Sequence, residues 1–334
     1  MAIYKLGDIV SEIIVGGDKP KNFSKSRNEK YTIPVVSNGT GVSQIMGYTD
    51  KTKIINNCIT ISARGTVGYI SFWKKPIFPI VRLITLKCDI QKVNEKFLFY
   101  KLNSTFIFST GAVQKQITKP MIAKLLLEIP SLEEQQKIID IIEPIENEIK
   151  YFSKIIVKLE LLLRQYSNNL KKIEKIINLI EFNKGTILKS KNFKYDSKLT
   201  GFIDIKSLSN NVFTKFVEFS PNCFFGDILL SLDGTPGRIS YSIQGFNGYA
   251  YNLKSKTISN SQIYVDIINN KNQRIISNNS NGTTIKHATK AKEKMWHFNS
   301  DKKITDSILQ ALVISKKIHN NLEDIKCNLI RCLN

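Results

Sequence analysis

The sequence has little with which to build a metal centre or a disulfide framework. It contains five cysteines (Cys58, Cys88, Cys223, Cys327, Cys332), none in a C-x-x-C pair, and three histidines (His287, His297, His319). Scattered cysteines in odd number fit a reducing, cytoplasmic setting, and no structural zinc site is expected. No apolar run approaches the ~18 residues that span a membrane. Lys5, Asp8 and Glu12 stand where a signal peptide needs an uninterrupted apolar stretch. A G-x-x-x-x-G-K-[ST] phosphate loop is missing, as is any carboxylate cluster suited to a catalytic metal. The chain is therefore read as holding no metal.

What it has is positive charge. Lys and Arg number 49 against 28 Asp and Glu, a net charge of +21, which points to a polyanionic partner. Only seven of the basic residues are Arg, and AT-rich coding would also produce such a wealth of Lys, Asn and Ile. The distribution favours the first explanation. Residues 1–130 carry an excess of +11 and residues 178–299 one of +8, whereas residues 131–177 carry none. Two basic blocks flank a neutral segment, and nucleic acid is the expected partner.

Residues 1–130 alternate strand-like runs (YTIPVV, KIINNCITISA, PIVRLITLKC) with Gly, Asn and Asp turns, and a short helix is expected after Asn94. Residues 178–300 repeat that texture with FIDI, DILLSL and SQIYVDII, so the expected class is mixed α/β. Between them, Ser131 and Glu134 in SLEEQQ form a capping box that opens a helix. A heptad follows through Ile138, Ile142, Ile145, Ile149, Phe152, Ile156, Leu159, Leu163, Tyr166 and Leu170. Pro144 is expected to kink its first turns or to mark a later start. The C-terminus keeps the same spacing through Ile304, Ile308, Ala311, Ser315, Ile318, Leu322, Ile325, Leu329 and Cys332. The layout is thus a block, a helix over 131–177, a second block, and a helix over 301–334.

ITISARGTVGYIS at 59–71 and ILLSLDGTPGRIS at 228–240 share I-x-x-S-x-x-G-T-x-G-x-I-S at an offset of 169 residues, close to half the chain. If the halves fold alike about a pseudo-two-fold axis, the two helices can pair as an antiparallel coiled coil. Such a rod is roughly 50 Å long. It would set a basic block at either end, on the order of a dozen base pairs apart on DNA.

KLGDI at 5–9, ISARGTVG at 61–68 and GAVQKQITKPMIAKLLLEIPSLEEQQKI at 111–138, with weaker echoes at 228–240 and 282–298, carry a resemblance. Over essentially its whole length the chain resembles the specificity subunits of Type I restriction–modification systems. The resemblance implies two target-recognition domains, 1–130 and 178–300, each reading half of a split, asymmetric site in double-stranded DNA. The helices between and after them set the gap. It also implies a chain with no catalysis and no cofactor of its own, two methyltransferase subunits as partners, which hold S-adenosylmethionine, and restriction subunits that use ATP and Mg in the full complex. The second half departs from the pattern: it lacks the Ile-Pro and LEEQ passage and ends in a shorter helix. The alternatives are an autonomous DNA-binding or bridging protein, and the specificity module of another methyltransferase–nuclease system.

Candidate DNA contacts follow from residue type. Gly65, Thr66 and Gly68, with Gly234, Thr235 and Gly237, are read as tight turns, either bare hairpins or loops whose backbone approaches DNA. Arg64 and Arg238 beside them are candidates for guanine contacts or phosphate clamps. Asp233 stands where the first copy has Arg64, so the halves are expected to read different bases. Lys19, Lys21, Lys25, Arg27, Lys115, Thr118 and Lys119 suit phosphates, as do Lys189, Lys191, Thr284, Lys286 and Lys290. Ser37, Ser190, Thr283, His287 and Thr289 lie on the same stretches. Asn38, Gln114 and Gln116 suit adenine edges. Trp73 and Trp296 are assigned to cores.

Overall fold

The computed structural model describes residues 2–55, 57–105, 116–210, 213–241, 243–282 and 286–333, except for the side chains of 209 and 210. The chain divides into two compact units, residues 1–147 with 323–334, and residues 148–322. Among the described residues no helix is long and apolar enough to cross a membrane.

In the first unit β1 (Ala2–Lys5) leads through a helical turn, α1 (Leu6–Ile9), into β2 (Val10–Val15). There follow β3 (Ile33–Val36), β4 (Ile45–Thr49), β5 (Cys58–Ile61), β6 (Ile70–Trp73), β7 (Phe78–Pro79) and β8 (Ile84–Cys88). Then come α2 (Glu95–Ser104), α3 (Lys119–Ala123), β9 (Leu126–Ile129) and the opening of α4 (Leu132–Asn168). The strands make a four-stranded sheet ordered β2-β8-β5-β6, a three-stranded sheet β4-β3-β7 and a β1-β9 pair. β5 reads CITI and is buried throughout, as β-branched residues in a central strand should be. Its Ile59 and Ile61 share a buried cluster with Ile84 and Leu86 of β8 and with Phe97 and Leu98 of α2. The Asn94 side chain caps that helix by accepting from the Lys96 amide at 2.9 Å.

The second unit has β10 (Lys172–Lys175), β11 (Glu181–Lys184), β12 (Thr200–Ile203), α5 (Ser207–Asn210), β13 (Phe216–Val217) and β14 (Ile228–Leu230). Next are β15 (Asp233–Gly234), β16 (Ile239–Ser240), β17 (Phe246–Asn247), β18 (Tyr251–Lys254), α6 (Asn260–Ile268) and α7 (Asn270–Asn278). β19 (Lys286–His287), β20 (Trp296–Phe298) and α8 (Lys302–Arg331) complete it. Its sheets run β11-β18-β14-β16, β13-β12-β17 and β10-β20. That is the connectivity of the first unit, down to the parallel pair: β3 with β7 in one, β12 with β17 in the other. The fold is mixed α/β, built twice. Among the described residues, the small β15-β19 pair and α7 have no counterpart in the first unit.

The capping box forms: the Ser131 amide donates to the Glu134 carboxylate at 3.0 Å, and the Glu134 amide donates to Ser131 Oγ at 3.3 Å. α4 then runs through Pro144 without interruption, so the proline does not delay its start. It stops at Asn168 rather than 177, because Lys172–Lys175 is drawn out to pair with Trp296–Phe298. Along it Ile142, Ile149 and Leu163 are buried, and Ile138, Ile145, Phe152, Ile156 and Leu159 are half-buried. Ile141, Val157, Leu161 and Leu162 are 48–63% exposed. The 3.5-residue stripe is therefore the packed one.

Within the second unit α8 lies antiparallel against this stripe. The Asp301 amide donates to Tyr166 Oη at 2.8 Å, Lys316 Nζ stands 3.2 Å from Glu160, and His319 Nε2 is 3.0 Å from Ser153 Oγ. In the first unit Ile138 shares its cluster with Leu329 and Ile330. The α8 stripe itself differs from the expected one. Its buried residues are Thr305, Leu309, Leu312 and Ser315, while Ile304 and Ile325 are 46% and 47% exposed. Ile325 is thus no seam residue, whereas Ile318, Leu322 and Leu329 remain half-buried. A straight helix drifts from a strict heptad by ~20° per repeat, and here polar Lys316 and His319 take inward places through their bonds to α4.

Candidate nucleic-acid interface

Residues 62–69 join β5 to β6. The Ser62 amide donates to the Tyr69 carbonyl and the Gly68 amide to the Ser62 carbonyl, both at 2.9 Å. The turn closes only because Gly65 and Gly68 take φ of 67° and 85°, a left-handed conformation that costs a residue with a Cβ. Asn38, just beyond β3, holds the loop from behind. Its Oδ1 accepts from the Ala63 and Arg64 amides at 2.7 and 3.3 Å, and its Nδ2 donates to the Val81 carbonyl at 2.7 Å. Val81 and Arg82 themselves sit at φ 53° and 59°, a strained choice for a β-branched residue. The Ile117 amide donates to the Ala63 carbonyl at 3.0 Å. This brings Gln116 beside the loop, where Arg64 Nη2 donates to its Oε1 at 2.9 Å.

Residues 231–238 rebuild the same turn in the second unit. The Ser231 amide donates to the Arg238 carbonyl and the Gly237 amide to the Ser231 carbonyl, both at 2.8 Å. Gly234 and Gly237 have φ of 75° and 90°. The Ala288 amide donates to the Leu232 carbonyl at 2.7 Å, as Ile117 does to Ala63. The side chains before each are again bonded across the gap: His287 Nδ1 lies 2.8 Å from the Asp233 carboxylate. Lys184 Nζ reaches the other oxygen of Asp233 at 2.8 Å. Arg64 with Gln116 and Asp233 with His287 occupy matching backbone positions, with the charge on the loop reversed.

Electrostatics follow from these partners. Burial alone would raise the Asp233 pKa, but the hydrogen bonds and charges of Lys184 and His287 outweigh it and hold the carboxyl below its usual value. Among the described residues no group of three or more His, Cys, Asp or Glu could hold a metal ion.

The other expected contacts are scattered. Lys19, Lys21, Lys25 and Arg27 are exposed on the segment before β3. Arg27 lines a groove of about 580 Å³ with Lys74, Lys75 and Trp73 that shares no residue with the Arg64 loop. Thr66 is exposed within that loop, and Thr118 and Lys119 are exposed just after Gln116. Lys189, Lys191, Thr235, Lys286 and Lys290 are exposed in the second unit, and Lys286 pairs with Gly234 at the loop itself. Two expectations are corrected by geometry. Asn38 spends its amide on three backbone groups and is a clamp for the loop rather than a base reader. Arg238 donates to the Ile205 carbonyl at 3.0 Å, so its guanidinium is tied to its own domain. Ser37 is buried. Gln114, Lys115, Thr283 and Thr284 lie outside the described residues. Trp73 packs against a buried cluster and donates to Thr60 Oγ1 at 2.9 Å. Trp296 is half-buried, with Lys172 and Lys175 over its ring at 4.7 and 3.7 Å.

Sequence reasoning marks Asp233 only as the replacement for Arg64 and not as a contact, since an acidic residue is an unpromising DNA contact, and it does not single out Lys184. A signal was present, however. K-Q-I-T-K at 115–119 matches K-H-A-T-K at 286–290, which makes His287 the counterpart of Gln116.

Comparison with known proteins bears on the chain's sequence and fold. Residues 1–161 match the family model described as the Type I restriction modification DNA specificity domain. Two Mycoplasma pneumoniae (strain ATCC 29342 / M129 / Subtype 1) chains named as type I specificity subunits are 35% and 33% identical, over 43% and 42% of this chain. The matches span 39% and 42% of those relatives' own lengths, about two fifths in each case. The fold is that of the S subunit of a Type-I restriction-modification system from M. genitalium, with a TM-score of 0.60, 18% identity, and 99% of this chain and 95% of that one covered. The likeness to the Type I restriction modification DNA specificity domain is carried by residues 1–161, just under half of the chain.

Proposed function

We propose that the chain is the DNA sequence-specificity subunit of a Type I restriction–modification complex and reads a bipartite, asymmetric site with two target-recognition domains. In this reading residues 1–130 and 178–300 are the readers, and the long helices α4 and α8 fix the distance between their half-sites. The observation that carries it is the repeated turn. Two domains of one connectivity each present a glycine-bracketed loop whose leading side chain is bonded to a side chain from a second segment of the same domain. Repetition of the scaffold with change of the presented groups is what a split, asymmetric site requires. The net charge of +21, concentrated in the two blocks, supplies the phosphate attraction that positions such readers.

The chain contributes no catalysis in this reading. Two methyltransferase subunits dock on it and carry S-adenosylmethionine, restriction subunits bring ATP and Mg to the full complex, and the assembly works in the cytoplasm. Arg64, Gln116 and the exposed lysines around the loops face the DNA. The test is to co-express the chain with the methyltransferase subunit of its own system and map adenine methylation across the host genome. A gapped, two-part motif is expected. A continuous motif contradicts two readers, and no methylation by a folded, active partner favours an autonomous DNA-bridging protein.

A further inference from the structure

The matched pairs at the two turns carry an inference about which group reads in the second domain, and it rests on the proposed function. In the first domain the loop presents a donor: Arg64, bonded to Gln116 at 2.9 Å. A guanidinium is acceptor-free and pairs with the O6 and N7 of guanine. In the second domain the same backbone position presents Asp233, which has acceptors only. A bare carboxylate would be repelled by phosphates. This one is held on both sides: Lys184 Nζ lies 2.8 Å from one oxygen and His287 Nδ1 2.8 Å from the other, with Lys286 opposite Gly234 in the same strand pair. Asp233 keeps 20% side-chain exposure, and Lys184 and His287 keep 46% and 59%. A carboxylate has about four acceptor sites, and these two partners use one on each oxygen.

We propose that Asp233, oriented by Lys184 and His287, is the base-reading group of the second domain and accepts a hydrogen bond from cytosine N4. Adenine offers an amino group too, but its N7 lone pair lies beside it and would face the carboxylate, whereas cytosine has no such acceptor on that edge. Guanine and thymine present only acceptors there. Arg64 and Asp233 therefore select opposite members of a G·C pair, and the half-sites differ at the position each loop reaches. Lys184 and His287 are positioning residues, acting through the carboxylate.

The experiment compares methylation motifs written by wild type, Asp233→Asn, and the double swap Asp233→Arg with His287→Gln, each co-expressed with the same methyltransferase subunit. The half-site of the first domain, read in the same genomes, reports folding and assembly. The wild-type motif is expected to require cytosine at one position of the second half-site by about tenfold or more over the other bases. Asp233→Asn is expected to relax that position and no other, and the double swap to favour guanine there. The reciprocal swap, Arg64→Asp with Gln116→His, is expected to move one position of the first half-site towards cytosine. If Asp233→Asn leaves every position of the second half-site as in wild type, Asp233 is a structural ion-pair partner and the inference fails. A wild type that writes no gapped motif instead defeats the proposed function, a separate outcome.

Discussion

Replacing Asn38 with Ala tests whether that side chain shapes the loop or reads a base. Three bonds disappear: 2.7 and 3.3 Å from the Ala63 and Arg64 amides, and 2.7 Å to the Val81 carbonyl. Ala63 is 1% exposed, so its amide loses a partner that water cannot easily replace, a penalty of ~1–3 kcal/mol. Arg64 and Val81 are exposed, and their groups can turn to solvent, adding a few tenths of a kcal/mol at most. The expected loss is about 2 kcal/mol, which for a unit of this size is a fall in Tm of roughly 4–8 °C. The segment through Val81 and Arg82, held at positive φ, should also relax, because its anchoring carbonyl is freed.

The assay is a thermal melt with urea unfolding at neutral pH, alongside methylation mapping of the same variant. Asn38→Ala should lower stability by that amount and weaken use of the whole first half-site, since the Arg64 loop loses its backing. A variant stable to within ~0.5 kcal/mol that relaxes a single base position would make Asn38 a reader and refute the clamp.

Further outcomes are expected. Leu163→Ala, at a wholly buried seam position, should cost ~2–5 kcal/mol, whereas Leu161→Ala, 52% exposed two residues away, should stay within ~0.5 kcal/mol; equal costs in urea unfolding would misplace the packed stripe. The folded Asp233 carboxyl lies below its ordinary pKa, so its contacts stabilise the fold above the unfolded value of ~3.9 and fade as pH falls through the lowered folded value. The stability gap between wild type and Asp233→Asn should thus be full at pH 7 and close below about pH 4, and a gap that instead widens in acid refutes the ion-pair account. Inserting one heptad into each long helix adds ~10 Å, about three base pairs, so the methylation motif should widen by that much with both half-sites kept. Arg64→Ala should weaken binding to the cognate site more than to random duplex, and an equal loss would make Arg64 a phosphate contact.

What could be read from the sequence was periodic. The mixed α/β texture, the capping box at Ser131 and Glu134, and the α4 stripe through Leu163 all follow from spacing, which local physics enforces residue by residue. α8 was harder, because Lys316 and His319 face inward through bonds to Glu160 and Ser153, and polar residues leave no hydrophobic period. The end of α4 was hidden for a related reason. Whether Lys172–Lys175 continues a helix depends on a strand more than a hundred residues away. Direction is also invisible to residue type. An exposed-looking Asn in a polar loop can offer its amide to a base or to its own backbone, and Asn38 does the latter.

The second loop shows what kind of sequence evidence survives this limitation. Scanning for basic and amide side chains favours Arg238, which the fold ties to the Ile205 carbonyl, and passes over Asp233. Position carries more. Arg64 and Asp233 occupy equivalent places in a turn closed by the same two backbone bonds, and Gln116 and His287 precede residues that make the same backbone bond to that turn. Because the backbone is kept, each pair can change its chemistry without moving, and the inverted charge becomes interpretable as a change of reading. A protein that recognises two unlike half-sites with one scaffold must vary what its equivalent positions present. The residues worth testing first are therefore those that differ between the copies while their backbone bonds do not.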